Sequence, residues 1–156
     1  MDDHVIDVPL ESLPAVDEHA VEVDETPEVT WDALLATLRR SFGGSISERG
    51  ARALGCEHTR SNGDPATIGS TLPGFVVSRS IRPACLTLLG GHRFSRYALV
   101  FRIDDLHGRS RLRAETRADF PGAKGRAYRA LVVGTHGHVV VVMRILRAVK
   151  RRAERA

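Results

Sequence analysis

The chain has 156 residues, 42% hydrophobic and 27% charged, with a formal net charge of +4. That is enough chain to bury one core and too little for several domains. No apolar run approaches the roughly 20 residues that a bilayer-spanning helix needs, and two cysteines, Cys56 and Cys85, are too few for a disulfide scaffold.

The charge is divided along the chain. Residues 1–38 hold eleven acids and no Lys or Arg, whereas residues 39–156 hold 23 bases against eight acids. A basic body can attract nucleic acid or an anionic surface. No nucleic-acid motif accompanies the charge, which disfavours nucleic acid as a partner. The acidic third is instead expected to cover part of the basic body. The start, MDDHVIDVPLES, lacks the basic and apolar blocks of a secretory signal, so the expected location is cytoplasmic.

Pro9 and Pro14 predict an irregular arm over residues 1–16. His19–Glu25 alternates and predicts a short strand. A helix follows: Thr26 can cap it, and Pro27 occupies the first helical position, where its missing N–H costs nothing. Trp31, Leu35, Leu38 and Phe42 recur on one face, and Gly43–Gly44 ends the helix. SISERGARALG predicts a shorter helix, capped by Ser45 or Ser47 and stopped by Gly55. Residues 56–73 are polar and read as a long loop.

The period then becomes two. GFVVSRSI and ACLTLL predict strands. In SRYALVFRID, Tyr97, Leu99, Phe101 and Ile103 share one face. DDLHGR predicts a hairpin turn, and SRLRAETRADF alternates with Leu112, Ala114, Thr116 and Ala118 inward.

The segment GTHGHVVVVMRILRAV admits two readings. As a hairpin, its valines form a strand, and His136 and His138 share a face that could bind a metal. As a helix, Tyr128, Val132, Thr135, Val139, Val142, Leu146 and Val149 fall on one side and most arginines on the other. The sorting of charge favours one long helix, with a kink near Gly134–Gly137 left open. On a helix the two histidines diverge by about 200°, so no metal site is expected. Val140 and Val141 then point outward, which suggests a homodimer contact.

Three stretches carry a family resemblance. AVEVDETPEVTWDALL resembles the start of START-like proteins (the SRPBCC or birch-pollen-allergen superfamily), where an apolar strand precedes a Pro-capped helix bearing Trp-x-x-Leu. Residues 74–116 resemble their strand meander, and residues 120–155 are similar to the closing segment of one uncharacterised family in that superfamily. The resemblance implies an α+β helix-grip fold over residues 17–155. A curved antiparallel sheet would wrap a long C-terminal helix, with two short helices after the first strand. It also implies an apolar cavity between sheet and helix, and no defined active site, because members range from lipid carriers to polyketide cyclases.

In that architecture the inward residues are candidate ligand contacts. Trp31, Leu35, Phe75, Leu99 and Phe101 supply bulk, while Ala114, Thr116 and Val139 leave space. Tyr97, Tyr128 and Thr135 supply hydroxyls that need partners when buried. His92 and Arg93, beside Gly90–Gly91, are candidates for the cavity mouth, with Glu115 or Asp119 as alternative partners for Arg93. No phosphate-binding loop and no nucleophile–base arrangement appear, so no cofactor is expected. The expected function is binding of a small hydrophobic ligand, lipid-like or polyketide-like. A cyclase or dehydratase using Tyr or His is the alternative. Anionic-surface or nucleic-acid binding through Arg96, Arg102, Arg111, Arg113 and Arg117 is the third.

Overall fold

A single 3-10 turn, Leu10–Ser12, leads into strand β1, Ala15–Val23. The structure is a computed structural model that describes residues 9–156. The first eight residues of the expected arm lie outside the described residues. Helices α1, Pro27–Phe42, and α2, Ser45–Leu54, follow. Strands β2 (Thr71–Leu72), β3 (Phe75–Ile81), β4 (Cys85–His92), β5 (Ser95–Asp105) and β6 (Ser110–Asp119) form the meander. Helices α3, Gly122–Val132, and α4, Gly137–Ala153, close the chain. The sheet has the order β1-β6-β5-β4-β3-β2, antiparallel throughout. This is the α+β helix-grip architecture.

Local chemistry accounts for most element ends. The Thr26 hydroxyl accepts from the Val29 amide at 3.4 Å, and Pro27 opens α1 as expected. Gly55, at φ 71°, stops α2. Neither Ser45 nor Ser47 caps α2; Gly44 holds that position and no side chain caps it. β1 starts earlier than the alternation predicts. The Ala118 amide donates to the Pro14 carbonyl at 3.0 Å and Arg117 donates to Leu13, which stitches the end of the arm onto β6. A register shift between Ala15 and Asp17 absorbs the mismatch. Residues 56–73, read as a loop, contain β2 and an Asn62–Thr71 bridge.

The C-terminal segment is helical, but it is two helices rather than one, bent by 55°. The residues between them give the reason. A side chain at Gly134 would collide with the Ala130 carbonyl. The Thr135 hydroxyl donates to the Leu131 carbonyl, replacing the helical amide bond there. His136 then adopts a left-handed conformation at φ 56°. The ladder cannot continue through these residues, and α4 restarts in a new direction.

Helix α4 is the gripped element. Val142, Ile145, Leu146 and Val149 are buried with Trp31, Leu34 and Leu38 of α1 and with Leu86, Leu88, Phe101 and Leu112 of the sheet. Helix α3 buries little, and its Leu131 is 65% exposed. The bend therefore ends the expected single face: Val142, Leu146 and Val149 keep it, while Thr135 leaves it.

The outer sheet face carries arginines, and acids pair with most of those on β5 and β6; Arg96 has no acid partner among the described residues. Arg109 and Arg111 pair with Glu22, Arg109 also with Asp24, and Arg113 with Glu18 and Asp104. Arg102 and Arg117 share Glu115. The acids of β1 and its exit thus cover part of the basic body. Each exposed pair contributes only about 0–1 kcal/mol, so their main effect is to cancel charge.

The two halves of the C-terminal segment predict opposite sensitivities. Leu146→Ala is expected to lower unfolding stability by about 2–5 kcal/mol. Leu131→Ala should stay within about 0.5 kcal/mol of wild type in the same urea titration. Comparable losses at both positions would contradict α4 as the gripped helix.

Candidate functional site

A cavity of about 950 Å³ lies where the sheet extends past the start of α4. Its floor is Tyr97 and Leu99 of β5 with Thr116 and Ala118 of β6. Phe42 closes one side at the end of α1, with Gly50, Ala51 and Leu54 of α2 next to it. Val141, Val142 and Ile145 of α4 form the roof, and Val132 and Val133 the edge towards α3. Small side chains at Ala51, Thr116 and Ala118 leave the space that larger ones would fill.

The end near β4 is an aromatic cluster. Phe75 meets Phe42 and Tyr97 edge-on, at centroid distances of 5.5 and 5.3 Å. His92 lies 4.8 Å from Tyr128 and 5.6 Å from Tyr97, and Phe94 stacks on Tyr128. Gly90 makes this possible. It is paired with Tyr97 across the sheet, and any β-carbon there would enter the Tyr97 ring and the Gly74 carbonyl. With the space free, Tyr97 donates its hydroxyl hydrogen to the Gly74 carbonyl at 2.8 Å.

The polar groups at this end are uncharged. Burial, reinforced by the neighbouring Cys56, pushes the Tyr97 phenol far above its ordinary range. Burial also raises Tyr128 and the Cys56 thiol, which sits 3.9 Å from the Tyr97 oxygen. A raised thiol is a poor nucleophile. Burial lowers His92, favouring the neutral ring. Its Nδ1 lies 3.1 Å from the Phe94 amide and accepts from it, which leaves the proton on Nε2. Neutral donors of this kind can orient a ligand's carbonyl or hydroxyl.

A second polar group sits on the β1 side. His138 lines the cavity, and its Nε2 is 2.6 Å from Asp17 Oδ2. His19 Nε2 approaches the same oxygen at 3.2 Å. The β1 irregularity sets Asp17 opposite Thr116, and the restart of α4 sets His138 above it. Burial raises the Asp17 carboxyl, but hydrogen bonds and charge from His138 and His19 outweigh that and hold it below the usual range. Asp17 Oδ1 and Thr116 Oγ1 are buried with no hydrogen-bond partner among the described residues.

Of the expected ligand contacts, Phe75, Tyr97, Leu99, Thr116, Tyr128 and, at the mouth, His92 come together on the wall. Trp31, Leu35, Phe101 and Ala114 do not: they are consumed by the packing of α1 and α4 on the sheet. Val139 is half-buried away from the wall, and Thr135 is exposed at the bend, its hydroxyl spent on Leu131. Arg93 is exposed and lies across Gly55 rather than in the mouth; neither Glu115 nor Asp119 pairs with it among the described residues. The sequence reading missed Phe42, Cys56, Asp17 and the arginines of α4. Asp17 carries no local signal, because its partner is 121 residues away. His136 sits exposed at the bend while His138 faces Asp17, so the two histidines serve different surroundings.

No family model and no curated protein matches the chain. Solved structures do match in shape. An aromatase/cyclase, Zhui, from Streptomyces sp. R1128 superposes with a TM-score of 0.58 at 15% identity, covering 89% of this chain and 93% of that one. Ara h 8.0201 gives 0.53 at 13% identity, covering 90% and 97%. A protein from Arthrobacter aurescens gives 0.54 at 14%, covering 86% and 85%. At such identities the likeness establishes the fold.

Asp17→Asn is expected to lower stability at pH 7 by about 1–2 kcal/mol, the scale of a hydrogen bond to a charged group. The folded carboxyl titrates below the unfolded value near 3.8, so its contribution is present above about pH 4 and lost as pH falls through the folded value. The gap between the urea midpoints of wild type and variant should therefore hold from pH 7 to about pH 4 and narrow as the pH is lowered further. A constant gap would contradict the pairing.

Proposed function

Starting from the helix-grip fold of the START-like superfamily, which this chain adopts, we propose that the protein binds a small hydrophobic molecule, lipid-like or polyketide-like, in the cavity beneath α4. The observation that carries this reading is an apolar space of about 950 Å³ whose aromatic end offers neutral hydrogen-bond donors. That combination of apolar wall and a few orienting polar groups is how small-molecule sites are built. The ligand contacts are Phe42, Phe75, Leu99 and Val142, with His92 and Tyr128 as orienting groups. Free thiols at Cys56 and Cys85 suit a cytoplasmic setting, which belongs to the same proposal.

A cyclase or dehydratase activity is the second reading. The juxtaposition of His92 and Tyr128 at 4.8 Å favours it, since His92 Nε2 could pass a proton to a bound carbonyl. Tyr97 is excluded from that role because its proton is held by Gly74. Nucleic-acid or anionic-surface binding through the outer sheet face is weakened by the pairing of Arg102, Arg111, Arg113 and Arg117 with acids. Self-association through Val140 and Val141, 58% and 55% exposed, remains part of the proposal; a monomer in light scattering would remove it.

A hydrophobic fluorescent probe such as 1-anilinonaphthalene-8-sulfonate should bind with one-to-one stoichiometry. At about 100 times Kd it should add about 2.7 kcal/mol of stability, visible as a rise in Tm. Thr116→Trp, which fills the floor, should abolish both effects while the protein stays folded by circular dichroism. Unchanged probe binding in that variant would place the site elsewhere and overturn the reading.

A further inference from the structure

One wall of the cavity is charged. Arg144, Arg147 and Arg151 of α4 line it, spaced by three and four residues so that they share a helix side. All three are exposed, and none has a carboxylate within 4.0 Å among the described residues, in contrast to Arg102, Arg109, Arg111, Arg113 and Arg117 on the sheet. Among the described residues, those lining the cavity include no Asp or Glu. The facing wall is α2, whose Ser47, Gly50 and Ala51 are too small to reach across and cover the guanidinium groups. At the same edge, Leu54 and Val141 leave apolar surface exposed, 36% and 55%. A row of uncompensated guanidinium groups beside an apolar opening is complementary to one kind of molecule: an apolar body with an oxyanion at one end.

Resting on the proposed cavity ligand, we infer that Arg144, Arg147 and Arg151 select a monomeric amphiphile with a carboxylate head, seated at the cavity mouth with its apolar body running towards Phe42 and Phe75. Guanidinium holds a carboxylate with two parallel N–H···O bonds, so the row fixes the direction in which the ligand enters. The neutral donors at the aromatic end then meet the far end of the ligand, not its charge.

The test compares cis-parinaric acid with its methyl ester, two probes of the same apolar body that differ in charge. Fluorescence titration of the full chain at pH 8 and low salt should show the acid binding about tenfold more tightly, the gain of one charge-assisted contact. The excess should shrink at about 0.5 M salt. In the Arg144→Gln, Arg147→Gln, Arg151→Gln triple variant, acid and ester should bind alike, with ester affinity unchanged. Retained ester binding also reports that the variant is folded. Equal binding of acid and ester by wild type, or a preference that survives in the triple variant, would overturn the inference and leave the cavity reading standing. Loss of both ligands in wild type would overturn the cavity reading itself. Binding only to anionic phosphatidylglycerol vesicles, with no preference for the monomeric acid, would overturn the inference in favour of a membrane surface.

Discussion

The bend at Gly134–His136 is the constraint on which the cavity depends. A curved sheet with strands as long as β5 and β6 offers more concave surface than one straight helix can cover. Helix α4 covers the part nearest β1 and α1, where Leu112, Phe101 and Val149 are fully buried. Val132 and Val133 before residues 134–136, and His138, Val141 and Val142 after them, line the same cavity as Thr116 and Ala118. Between them Gly134, the Thr135 hydroxyl and the left-handed His136 turn the chain by 55°. The floor is left open, and Val132 and Val133 touch only its edge. The same turn delivers His138 to Asp17, a pair that anchors the restart of α4 to β1. One local failure of helix geometry thus creates the void and fixes its border.

The charge follows a similar division of labour. β1 runs antiparallel to β6 and lays Glu18 and Glu22 beside Arg113 and Arg111. Glu18, Glu22 and Asp24 of the acidic first third are therefore spent on Arg109, Arg111 and Arg113. Among the described residues no acid of β1 pairs with an arginine of α4; the polar contacts from β1 to that helix are the Glu22 carbonyl accepting from Lys150 and the Asp17–His138 pair. Arg144, Arg147 and Arg151, without such partners among the described residues, leave one basic helix edge beside the cavity.

Where a feature was legible in the sequence, its cause was local. Thr26–Pro27, Gly55 and the alternation of β5 and β6 depend on a few neighbouring residues, and the structure follows them. The helical sorting of the C-terminal arginines also survived, because charge avoids burial whatever the bend angle. The cavity wall was most legible along β5 and β6, where inward alternation brings Tyr97, Leu99 and Thr116 together, with Phe75, His92 and Tyr128 joining them from β3, β4 and α3. On α1 the same inward rule named Trp31 and Leu35, yet these pack against α4. Periodicity tells which side of an element faces inward; it does not tell whether a helix or a void lies opposite. Asp17 and Gly90 illustrate the remaining gap. Their roles come from partners brought close by the fold, the His138 ring for one and the Tyr97 ring for the other.

The chemistry of the interior narrows what the cavity can do. Catalysis by proton transfer needs a group that can change charge near neutral pH within reach of the ligand. Burial raises Tyr97, Tyr128 and Cys56, which favours their protonated forms, and Asp17 is held below the usual carboxylate range by its histidines. His92 is the exception at the aromatic end, but burial disfavours its cationic form, and one nitrogen is already engaged by Phe94. A single neutral imidazole can donate one hydrogen bond; among the described residues no carboxylate pairs with it to stabilise the charge it would acquire as a base. That arrangement orients a ligand more readily than it transforms one.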